Sequence, residues 1–171
     1  SPYYMSPEQA QGAERLDHRA DVFALGAIAY EALVGEVPFS GANGPAILLA
    51  ILTKTPPPVS TRSDPTAFIP AALDDVIDDA LAKKPESRTA STGAFADAFG
   101  RAFGLAGGHL DWAQTSVLEL ERLIAEARAA GRLGAMSVED PFAADPFAAT
   151  PPPRPMASMP QSASAQTAMD E

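Results

Sequence analysis

Few residues of this chain have the types and spacing that chemistry would need. His18 and His109 have no partner at metal-ligand spacing, so a metal site is not expected. Zero cysteines exclude disulfides and thiolate metal sites. No phosphate-binding or metal-binding motif is present. Three groupings remain. One is a cluster of hydroxyl, proline and aromatic groups, Ser1-Pro2-Tyr3-Tyr4-Met5, running into Ser6-Pro7-Glu8. The second is the carboxylate of Asp21 at the start of an apolar stretch. The third is Lys84-Pro85-Glu86-Ser87-Arg88. Taken singly, each has a plain structural explanation. The first reads as a Pro/Tyr-rich turn. Asp21 suits the first turn of a helix, where the backbone dipole favours negative charge. Glu8 and Arg88 could be solvated surface charges. A buried carboxylate, by contrast, must be hydrogen-bonded, and a planar guanidinium suits a bidentate contact with one.

The elements that would position these groups are helical. Residues 7–11 predict a short helical turn. Asp17 can cap the next helix, which runs to a Gly35 stop. Its Val22, Phe23, Leu25, Ile28, Ala29, Tyr30, Leu33 and Val34 cover most of the circumference, which predicts burial on nearly all sides. Gly26 in its middle costs about 1 kcal/mol against Ala, so close packing should require it. Val37-Pro38-Phe39 predicts a short extended exit. Residues 45–54 predict a second apolar helix, broken by Pro56, Pro57 and Pro58, and residues 59–69 an irregular loop. Residues 71–83 predict a third helix with a one-sided apolar stripe at 73, 76, 77 and 81, its dense acid on the other face. Pro85 stops it. Ser91 can cap a fourth helix carrying Phe95, Phe99 and Phe103. No segment alternates as a strand would.

Residues 110–132 predict one further helix, with Ala113, Val117, Leu120, Ile124 and Ala127 as a narrow seam and Arg122 between Glu119 and Glu126. It is expected to pack on the neighbouring domain; dimerisation through residues 110–132 is the other reading. From Ser137 the composition turns to Ala, Pro, Ser, Met and Gln, which predicts a disordered tail over 137–171. That tail holds DPFAA twice, at 140–144 and 145–149, and PPPRP at 151–155, which should favour polyproline II. Both are similar to peptide ligands of adaptor modules, but short motifs of this kind arise by chance in Ala/Pro-rich tails.

At 171 residues and 46% apolar content, the chain allows one ordinary domain plus a tail. The net charge of −10 argues against nucleic acid and anionic lipid as partners. No apolar run approaches the ~20 residues of a membrane span, and there is no basic-then-apolar secretion signal at the start. Together with the absent cysteines this fits a cytoplasmic location, though a parent protein could be anchored in a membrane outside this segment.

In order and spacing, SPYYMSPEQAQG, LDHRADVFALGAIAYEALVGEVPF and KPESR resemble the protein kinase domain of the bacterial Ser/Thr type, over roughly residues 1–104. The implied fold is mainly α: the helices of the kinase C-lobe, without the upper β-lobe or the catalytic loop. The implied organisation is a C-lobe portion over 1–104, an accessory amphipathic helix over 105–136 and the tail. In the kinase signature set, the Ala-Pro-Glu-type motif, here Ser6-Pro7-Glu8, follows the Gly-rich loop, the ATP-binding Lys, His-Arg-Asp and Asp-Phe-Gly. None of those four is in this sequence. The chain is therefore expected to be a fragment that starts inside a domain; the absent initiator Met points the same way.

The resemblance also assigns roles. A hydroxyl at Ser1, where Thr is usual, would contact the catalytic Asp and help select Ser/Thr acceptors. Pro2, Tyr3, Tyr4 and Met5 would form the docking loop for the substrate residue after the acceptor. Asp21 would accept hydrogen bonds from catalytic-loop amides. Glu8 would pair with Arg88. Lys84 stands where the family more often has Asp, a departure that leaves the ion pair intact. The parent would transfer the γ-phosphate of ATP to Ser or Thr of protein substrates, with ATP and Mg²⁺ held upstream. The fragment itself would bind no cofactor and be inactive, its partners being those substrates and the missing lobe and loop. Two rivals differ in class. One is a pseudokinase-like protein-interaction module, distinguished by whether His-Arg-Asp-x₄-Asn and Asp-Phe-Gly lie upstream. The other is a helical domain unrelated to kinases.

Overall fold

A computed structural model describes residues 1–62 and 68–133. Among these residues the regular structure is entirely helical. After a 3₁₀ turn at Pro2–Tyr4 come α1 (Pro7–Ala10), α2 (Arg19–Val34), α3 (Gly44–Thr53), α4 (Val59–Arg62) and α5 (Ala72–Ala80). A second 3₁₀ turn at Pro85–Ser87 leads to α6 (Thr92–Ala102), α7 (His109–Trp112) and α8 (Val117–Ala129).

Helix α2 packs against the first 3₁₀ turn and against α4, α5 and α6. Asp17 Oδ1 accepts from the Arg19 amide at 2.8 Å, and the helix stops at Gly35, whose φ of 81° is a left-handed conformation that glycine adopts without penalty. Gly26 sits where α2 crosses α5. A Cβ there would lie 2.7 Å from the Ala80 Cβ, so the close approach requires glycine. The helix buries Ala20, Val22, Phe23, Gly26, Ala27 and Tyr30. Its apolar content predicts burial on nearly all sides, but Ile28 is 51% exposed and Asp21 is exposed. The first 3₁₀ turn, α4, α5 and α6 cover the buried face, and Asp21 and Ile28 lie on an exposed strip of the helix.

Other boundaries differ from the sequence-based expectation in instructive ways. Helix α3 starts at Gly44 because the Asn43 side chain accepts from the Ala46 amide at 3.0 Å. The expected loop after the prolines contains α4. Its Ser60 is held by Asp74 of α5, which accepts from the Ser60 amide at 2.9 Å and hydroxyl at 2.6 Å. Helix α5 ends at Ala80, three residues short of the predicted Lys83. The carbonyls of Ala82 and Lys83, just past its end, are taken by Arg88. Helix α6 begins where Ser91 accepts from the Ala94 amide, and Phe95, Phe99 and Phe103 stack along it in tilted pairs.

The single helix predicted over 110–132 is two helices. Ser116 accepts from the Glu119 amide and caps α8, which breaks the chain between Trp112 and Val117. The predicted seam is broken with it: Val117 is 72% exposed, whereas Ala127 is fully buried. Both helices dock on the lobe through glycines. The Trp112 ring fills the space a Cβ at Gly100 would need, and Ala127 lies 2.6 Å from where a Cβ on Gly104 would be. Arg128 reaches over the Phe68 ring at 4.1 Å. The tail with its DPFAA repeat and PPPRP lies outside the described residues, as do residues 63–67. No described helix is long and apolar enough to cross a membrane.

Candidate anchoring and docking site

Glu8 and Arg88 are brought together from opposite ends of the lobe. Ser6 is fully buried before α1, and the Gln9 side chain reaches back to accept from its amide at 2.9 Å and its hydroxyl at 3.1 Å. Pro7 occupies the first helical position, where its missing N–H costs nothing. This presents Glu8 to Arg88 on the 3₁₀ turn that follows α5. Arg88 Nη1 donates to Glu8 Oε1 at 2.7 Å and Nη2 donates to Oε2 at 2.6 Å. The remaining donors go to the carbonyls of Ala82 at 2.8 Å, Arg19 at 2.9 Å and Lys83 at 3.3 Å. All five guanidinium N–H groups are thus engaged, and the Arg88 side chain is 0% exposed. Burial alone raises the Glu8 carboxyl. The hydrogen bond from Arg88, with help from backbone and Ser6, outweighs it and holds Glu8 below its ordinary value.

The 3₁₀ turn at Pro2–Tyr4 lies against the same scaffold. Met5 donates its amide to the Pro2 carbonyl at 3.2 Å, and Tyr3, Tyr4 and Met5 pack on the core while Ser1 is exposed. Tyr4 donates its hydroxyl to Glu31 of α2 at 2.6 Å. That hydrogen bond is the main reason the Tyr4 phenol is raised, since it favours the protonated form. Pro2–Tyr4 therefore rests on α2 and α3, and Glu8 on Arg88.

Asp21 is placed differently from the expectation of a buried carboxylate. It is exposed in the first turn of α2, where the helix dipole favours it. Its side chain makes no hydrogen bond with another described residue. His18 and His109 both find partners that the sequence did not reveal. His18 Nε2 lies 2.7 Å from the Ala90 carbonyl. His109 Nδ1 lies 2.9 Å from Asp97 Oδ1, which also accepts from the His109 amide at 2.6 Å. Sequence reasoning missed Glu31, Lys83 and Asp97 as well, because each meets its partner through the tertiary fold. Among the described residues no three of His, Asp and Glu stand close enough to hold a metal ion. Beside Glu8, Arg15, Leu16, Asp17 and Pro85 line an open depression of about 220 Å³. It is smaller than the roughly 300 Å³ of ordinary ligand pockets.

The family model described as the protein kinase domain matches residues 1–99. The chain belongs to the protein kinase domain family. Within that family it is 44% identical over 91 residues to the serine/threonine-protein kinase pkn3 of Myxococcus xanthus, covering 53% of this chain and 16% of that protein. It is 42% identical over 85 residues to PknB of Mycobacterium tuberculosis, also named a serine/threonine-protein kinase, covering 50% of this chain and 13% of PknB. It is 47% identical over 86 residues to MasK of Myxococcus xanthus, named a tyrosine-protein kinase, covering 50% and 12%. The helices within residues 1–99 are consistent with a kinase-like helical lobe, and the chain spans about a sixth or less of each of these relatives.

Proposed function

We propose that this chain is the substrate-docking side and helical scaffold of a bacterial serine/threonine protein kinase. In this reading the whole protein transfers the γ-phosphate of ATP to Ser or Thr of other proteins in the cytoplasm. ATP and Mg²⁺ belong to the parts of the kinase that carry the Gly-rich loop, the ATP-binding Lys, His-Arg-Asp and Asp-Phe-Gly, none of which is in this sequence. The observation that carries the reading is the bidentate contact of Glu8 with the fully buried Arg88. It ties the segment after the docking turn to the far end of the lobe, which is what a loop that receives a protein substrate needs: a fixed floor. Ser1, Pro2, Tyr3, Tyr4 and Met5 take the docking role, with Tyr4 braced on Glu31. Asp21, exposed on α2, takes the role of an acceptor for catalytic-loop amides. The hydroxyl of Ser1 favours Ser and Thr over Tyr as acceptor.

The test begins with the gene product that contains this segment. Labelled γ-phosphate should pass to Ser and Thr peptides and not to Tyr peptides, and Tyr4→Phe should raise KM for the peptide more than it lowers kcat. Chain 1–171 alone should transfer none. Transfer by the chain alone, abolished by a substitution within it, would defeat this reading. If the gene product lacks His-Arg-Asp and Asp-Phe-Gly and transfers nothing, an interaction module is the better account.

A further inference from the structure

Lys83 holds its charge where the surroundings work against it. Its ammonium lies 3.9 Å from the centre of the Phe39 ring and 6.0 Å from that of Phe23, two rings stacked 5.9 Å apart. It donates to the Ile51 carbonyl at 2.7 Å. Among the described residues no carboxylate forms an ion pair with it. The charge beside it is a second cation. Arg88 stands 5.1 Å from the Phe23 ring and donates to the backbone carbonyl of Lys83 itself, while Glu8 is taken up by Arg88. The Phe39 face favours an ammonium, but it acts from one side and is a weaker partner than a carboxylate. Burial first, and then the like charge of Arg88, lower Lys83 from 10.5 to about 8. The other two lysines of the chain, Lys54 and Lys84, are exposed.

We propose that Lys83 is a nucleophilic amine and an acylation site that accepts the acyl group of small acyl phosphates. A partly desolvated amine next to another cation is an arrangement that makes lysine a nucleophile near neutral pH. The neutral amine attacks the acyl carbonyl carbon. A C–N bond forms, the C–O bond to phosphate breaks, phosphate leaves with the electron pair, and the amine proton passes to water. Nothing is oxidised or reduced. The amide product keeps one N–H for the Ile51 carbonyl and removes the charge set against Arg88.

The experiment uses chain 1–171 and acetyl phosphate at pH 7, with acetylation at the three lysines followed over time by peptide mass mapping. Lys83 should react about tenfold faster than its exposed neighbour Lys84, the larger difference in free-amine fraction being partly offset by restricted access. The preference should shrink as the pH rises towards 10.5, the ordinary lysine value, and should vanish in denaturing urea. Equal rates at Lys83 and Lys84 in the folded chain, or a preference that survives in urea, overturns the proposal. Neither outcome depends on kinase activity.

Discussion

Two arginines of this chain grip carboxylates with similar geometry in opposite surroundings. Arg88 meets Glu8 across 80 residues, with its side chain wholly buried. Arg122 meets Glu119 one helical turn away at 2.9 Å and 2.5 Å, and also Glu126, with 56% of its side chain exposed. Distance alone does not separate the two. What separates them is what each would do if its partner were lost. Water would replace the carboxylates around Arg122. The Arg88 side chain is shut off from solvent, and three backbone carbonyls also depend on the guanidinium. The first contact organises a lobe, and the second decorates a helix.

The largest effect should follow removal of the buried partner. Arg88→Ala should destabilise the chain by about 3–5 kcal/mol, read as a fall in the denaturant midpoint. If that variant does not fold, Arg88→Lys still tests the point. A lysine keeps the charge but cannot make the bidentate contact or reach all three carbonyls, so it should fold with a midpoint below that of the wild type. A midpoint equal to wild type for either substitution would erase the distinction between the two arginines.

Next in size is a packing test where α7 meets α6. A Cβ at Gly100 would fall 2.1 Å from a Trp112 ring carbon, so Gly100→Ala should displace α7 and cost roughly 1–3 kcal/mol. Trp112 fluorescence should shift to the red with it. An unchanged spectrum would mean that α7 holds its place by other contacts, Asp97–His109 first among them.

Acid and base sharpen the comparison further. The folded Glu8 carboxyl lies below its ordinary 4.5, so its contribution is present above that value. It should be lost as the pH falls through the folded value, and stability measured by urea titration should fall below about pH 4.5. Lys83 has the opposite history. Its folded value is lowered to about 8 from 10.5, so the fold carries a cost below pH 8 that is relieved as the pH rises towards 10.5. Stability should therefore rise between about pH 8 and 10. Above 10 the raised phenols of Tyr4 and Tyr30 act the other way. A flat profile from pH 8 to 10 would contradict the burial of the Lys83 ammonium, and with it the crowding by Arg88.

The smallest effect belongs to the exposed cluster. Arg122→Ala should leave the unfolding midpoint within error of wild type at moderate salt, since exposed i, i+3 and i, i+4 pairs contribute little. A loss as large as that of Arg88→Ala would mean that α8 carries the lobe rather than resting on it.

The local features of this molecule were legible in the residues themselves. Gly35 ends α2, Ser91 caps α6 and Gly26 marks a close crossing, because caps and close contacts act within a turn or through the lack of a side chain. Apolar spacing marked the individual helices, and the kinase resemblance implied the mainly helical class. The order and spacing of the Ser6-Pro7-Glu8, RADVFALG and KPESR segments pointed to the kinase family before any contact was known. Tertiary structure decided what spacing cannot encode. The apolar residues of α2 suggest burial all round, yet neighbouring helices leave Ile28 and Asp21 in the open. The acid of α5 looks like a solvated face, yet Asp74 reaches back to hold α4. Lys83, Lys84 and Arg88 are alike as charges in a sequence. The fold buries the Arg88 guanidinium against Glu8, sets the Lys83 ammonium on an aromatic face beside it and leaves Lys84 in water. The free energy of a charge depends on the solvent and partners that remain to it, and those are fixed only when distant segments meet.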